Sequence, residues 1–107
     1  MALQHAAPGQ VVDLRPFGAK LCEAKTSALV KSDRFEAVRL VVPAGTIIPS
    51  HKVPGYVTLH CLEGRVALSP SGVELSTGDW LYLGRGAAHS VRGIEDSSLL
   101  LTILFDN

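Results

Sequence analysis

Little in this chain is in excess. Its 107 residues carry ten basic and ten acidic side chains, so the formal net charge is zero. Nucleic acid is recognised by a clustered basic face, and neither that nor a basic amphipathic segment for a membrane surface is present. No stretch approaches the roughly 20 apolar residues of a spanning helix. The opening Met1-Ala-Leu-Gln-His-Ala-Ala-Pro-Gly9 lacks the basic start and apolar centre of a secretory signal. The only cysteines are Cys22 and Cys61. A stapled secreted domain carries more, so the expectation is a cytoplasmic protein with free thiols.

What is present is β-forming. Hydrophobic residues make up 47% of the chain, enough for one packed core, and the length suits a single domain. Short β-rich runs alternate with Gly, Pro, Ser and Asp. They read as 26–31, 34–42, 46–52, 56–62, 65–69, 73–76, 80–83, 87–92 and 98–105. Turn signals at roughly eight- to twelve-residue spacing mark a sandwich or barrel. Ser32-Asp33 reads as a hairpin, residues 18–26 are ambiguous between helix and strand, and residues 1–10 are expected to be a flexible N-terminus. The apolar run Leu99–Phe105 suits a strand with one face in the core and the other against a neighbouring layer or subunit.

Chemistry-bearing residues concentrate in two Gly/His segments. The first runs from Gly45 through His51, Val53 and Val57 to Gly64. The second runs from Gly78 through Gly84, Gly86 and His89 to Gly93. No Gly-x-Ser-x-Gly, Walker loop, dinucleotide fingerprint or Cys-x-x-Cys occurs, and no Ser, His, Asp spacing supports a triad.

In these residues the chain resembles the cupin superfamily. Gly45, His51 and Gly64 fall at the positions of the first cupin motif, and Gly78, Gly86 and His89 at those of the second. The resemblance covers roughly residues 34 to 105. It implies an all-β double-stranded β-helix, a jelly-roll-like barrel of two antiparallel sheets, over residues 11–107, with motif one at 45–64 and motif two at 78–93. The departures bear on function. Val53 stands where the family has its second histidine and Val57 where it has its glutamate. Gly84 replaces the proline of motif two, and Gly93 its closing asparagine. Three histidines and a glutamate hold a divalent metal in full-ligand cupins, and here only His51 and His89 match. Two imidazoles fall short of the usual catalytic zinc or non-haem iron set. The expectation is therefore no cofactor, with a divalent metal held by His51 and His89 as the alternative.

Strand parity decides the other candidates. If Val57 faces the interior, Leu59 and Cys61 do too, and His60 faces out. Cys61 is then the better third ligand, against its plainer reading as an inert buried thiol. Tyr56 and Tyr82 are candidates to line the pocket with hydroxyls, against simple packing. Lys52-Val-Pro-Gly55 is expected to form a tight loop at the cavity mouth. Arg39 and Arg65 each offer a carboxylate-binding fork, and parity places neither.

The leading expectation is a small-molecule-binding barrel with no tightly held metal, His51 and His89 serving as polar handles in an apolar cavity. Two alternatives stay open. One is an enzyme, either a metal-free isomerase or epimerase or a metal-dependent oxygenase with a non-standard third ligand. The other is a structural or regulatory dimer with a vestigial cavity. The resemblance also implies a homodimer, for which the strand-capable residues 11–31 suit addition to a partner's sheet.

Overall fold

A computed structural model describes residues 5–51 and 53–106. Among the described residues nine strands form two antiparallel sheets: β1 Ser27–Lys31, β2 Phe35–Val42, β3 Ile47–His51, β4 Gly55–Glu63, β5 Arg65–Ser69, β6 Glu74–Ser76, β7 Trp80–Leu83, β8 His89–Gly93 and β9 Ser97–Phe105. One sheet runs β1-β2-β9-β4-β7 and the other β3-β8-β5-β6. Every strand expected from the sequence is present, with ends moved by one or two residues. The exception is the stretch read as residues 11–31. Only Ser27–Lys31 is a strand, and it pairs with this chain's own β2. Gly18–Glu23, the ambiguous stretch, is a short 3-10 helix that buries Leu21.

Alternation along the strands builds the core. Leu40 and Val42 of β2, Leu59 and Cys61 of β4 and Leu99 of β9 face Val66, Leu68, Leu75 and Val91 of the other sheet. Two motif glycines are fixed by close approach. Gly64 has φ +87°, and a Cβ there would lie 2.3 Å from the Asp96 carbonyl oxygen. At Gly93 a Cβ would meet the Pro43 oxygen at 2.4 Å. Gly93 also accepts from Gly45 N–H and donates to Thr46 O, at 2.8 and 2.9 Å. The position held by asparagine in the second motif is here a tie between the two motifs, and only glycine fits it.

The N-terminal segment crosses the outer face of the five-stranded sheet and is held there by a buried ion pair. Glu63 accepts from the Phe17 and Gly18 N–H groups (3.0 and 3.1 Å) and from Ser98 Oγ (2.5 Å). Arg39 donates to Glu63 at 3.4 Å, to Ser98 at 3.3 Å and to the Arg15 carbonyl at 2.8 Å. Its guanidinium carbon lies 3.8 Å from the centre of the Phe17 ring. Burial pushes the Glu63 carboxyl up. The Ser98 and backbone hydrogen bonds and the Arg39 charge outweigh it, leaving the group below its ordinary value.

Candidate functional site

One end of the barrel is closed by packed side chains, and the other holds a cavity of about 110 Å³. Leu40, Val57, Leu59, Leu83, Leu101 and Ile103 line it from the five-stranded sheet. Ile48, Pro49, His89 and Val91 line it from the other, and Val53 and Ala87 from loops. Each of the six positions from the large sheet follows from the parity of Val57 and the cross-strand register. Val57 pairs with Leu83 and Ile103, and Leu59 with Leu81 and Leu101. Sequence reasoning placed Leu59 on this wall but left out Leu83, Leu101 and Ile103. Strand pairing was the missing signal.

His89 is the one titratable side chain among the described residues that line the cavity. It begins β8, and β3–β8 pairing sets its backbone directly across from that of His51. Its Nδ1 is buried and has no hydrogen-bond partner among the described residues. A buried imidazole nitrogen without a partner carries an unmet desolvation cost of about 1–3 kcal/mol, and a ligand group can meet it.

The remaining candidates lie elsewhere. Cys61 does face the interior, as parity requires, but it sits beyond the cavity in the closed end. It is fully buried, with Sγ 3.5 Å from Glu63 O and 3.6 Å from Gly64 O. Burial pushes its thiol up, away from the thiolate that binds metal or attacks substrate. Tyr56 and Tyr82 do not line the cavity. Both lie on the outer face with rings stacked at 6.0 Å, because they are one residue out of step with Val57 and Leu83. His60 is also on the outer face, paired with Trp80 and Leu100. Arg39 is spent on Glu63, and Arg65 on Glu74 at 2.5 Å. Lys52 lies outside the described residues.

No family model matches the sequence, and no curated protein resembles it closely enough to match. Solved structures do match in shape. A cupin superfamily protein from Desulfitobacterium hafniense superposes with TM-score 0.75 at 18% identity, over 90% of this chain and 95% of its own. This is a cupin fold. A conserved protein of unknown function from Streptococcus pyogenes also matches at TM-score 0.75, with 16% identity over 100% of this chain and 99% of that one. KdgF from Halomonas sp. matches at 0.63, with 17% identity over 77% and 80%.

Cupin barrels are associated with a bound divalent metal, so the donor set here matters. Val53 and Val57, at two of the four ligand positions of the motif, form part of the apolar wall. Cys61 is remote and held protonated. Among the described residues no three His, Cys, Asp or Glu side chains gather into a metal-binding group. The described side chains do not fit a divalent metal.

Proposed function

We propose that this cupin-fold chain is a small-molecule-binding barrel. Its ligand is a compact apolar molecule with one hydrogen-bonding group directed at His89 Nδ1. The observation that carries this reading is the buried Nδ1, without a partner among the described residues, in a cavity whose other described lining is apolar. Size points to a small ligand: about 110 Å³ is of the order of the roughly 150 Å³ apolar cavity that benzene enters, which favours a small monocyclic or short branched molecule over a nucleotide. Two free cysteines, one of them exposed at Cys22, favour a reducing, cytoplasmic location.

Thermal unfolding against phenol, cyclohexanol and short branched acids and alcohols tests the proposal. A ligand at a hundred times its Kd adds about 2.7 kcal/mol, or at least 10 °C in Tm for a domain of roughly 100 residues. His89→Leu should abolish the preference for the polar compound over its hydrocarbon parent. A panel that shifts nothing, or a His89→Leu variant with unchanged preference, refutes the reading.

A further inference from the structure

Four strands bound the two sheets, and three of their edges are guarded. On β1 the Leu29 carbonyl is capped by Ala6 N–H at 2.7 Å. β3 carries Pro49 at its centre, and β6 is three residues long and begins at Glu74. Short strands, proline and charge are the usual protections of a sheet edge. β7, Trp-Leu-Tyr-Leu, is also short, at four residues, but carries neither proline nor a charged side chain. Trp80 and Tyr82 are 61% and 54% exposed.

The backbone of β7 is open as well. Cys61 N–H donates to the Asp79 carbonyl at 2.9 Å. Antiparallel alternation therefore turns the main-chain groups of Leu81 and Leu83 toward β4, and those of Trp80 and Tyr82 toward the free edge. The strand is also flanked by opposite charges, Asp79 before it and Arg85 two residues after it.

We infer that β7 pairs antiparallel with β7 of a second copy of this chain, about a two-fold axis at Tyr82. Three features choose this occupant and this register. Tyr82 then exchanges both main-chain hydrogen bonds with its counterpart, as an outward-pointing residue at the axis must. Asp79 falls opposite Arg85 of the second copy, and the symmetry makes this ion pair twice. Trp80 falls opposite Gly84, where a Cβ would have nothing within 4 Å, so the indole covers an edge glycine. Arg85 already meets Asp106 within the chain, but a guanidinium has five donors and can take a second carboxylate. The sheet becomes continuous across the axis, and no N-terminal strand need be exchanged.

Light scattering on size-separated protein, across a hundredfold range of concentration, tests this. The wild type should have the mass of two chains. Tyr82→Pro should be monomeric and still folded, because the N–H it removes points to the free edge and makes no bond to the described residues. Arg85→Glu should raise the dimer dissociation constant at least tenfold, and Asp79→Lys/Arg85→Glu should restore it. If Tyr82→Pro does not fold, the charge-reversal pair decides. A monomeric wild type would mean that the edge serves another partner or none, and overturns the proposal. So does a folded Tyr82→Pro dimer, or a double variant as weak as the single one.

Discussion

Two buried polar sites lie on opposite faces of the same sheet, and they are built on opposite principles. On the outer face both Glu63 carboxylate oxygens accept hydrogen bonds, and Arg39 makes three bonds through Nη2 while its guanidinium stacks on Phe17; its buried Nε has no acceptor among the described residues. On the inner face His89 Nδ1 has no partner among the described residues and borders an apolar cavity. The first arrangement fastens the N-terminal segment to the barrel. The second leaves an interaction unmade among the described residues, which the proposed ligand would complete. Burial of a polar group by itself therefore says little about function; its pairing separates a fastening from a receptor.

Substitution should divide the two sites by sign. The largest effect is expected at Glu63→Ala, which leaves Arg39 buried without its carboxylate. The loss should be about 3 kcal/mol or more, read from the urea midpoint, with the backbone amides of Phe17 and Gly18 losing protection from hydrogen exchange. Arg39→Met/Glu63→Leu should recover most of that stability, because two apolar groups leave no charge unpaired. His89→Leu should do the reverse. Removing the unsatisfied nitrogen should stabilise the ligand-free protein by about 1 kcal/mol, while binding selectivity is lost. A destabilised His89→Leu would mean that the imidazole is a structural member like Arg39, and the contrast would fail.

Acid provides the smallest and most graded effect. A depressed carboxyl contributes stability above its ordinary value, which is 4.5 for Glu63, and loses it as pH falls through the lower folded-state value. Urea midpoints measured below pH 4.5 should therefore drop more steeply in the wild type than in Glu63→Gln. Parallel curves would remove Glu63 from the acid response.

Particular residues show how far the sequence could be read. Gly45, Gly64, Gly78 and Gly86, spaced around His51 and His89, were enough to point to a cupin barrel. Alternation from Val57 was enough to turn Leu59 and Cys61 inward and His60 outward. The same rule, applied to Tyr56 and Tyr82, sends both outward, one residue out of phase with the wall they were candidates for. Parity did not show depth: Cys61 shares a face with Val57 and Leu59 but lies past the end of the cavity. Glu63 lies next to the glycine that joins β4 to β5, and nothing local in the sequence ties it to Arg39, Ser98 and Phe17.

The sequence by itself determined the strands and their turns, because these depend on spacing and alternation within short segments, and its resemblance to the cupin motifs implied the barrel and the loss of two metal-ligand positions. The tertiary structure alone decided which inward residues border empty space, which buried polar atoms find partners, and which sheet edge is left open. Those three properties depend on register between strands far apart in the chain, and a one-residue shift in any of them would exchange wall for surface.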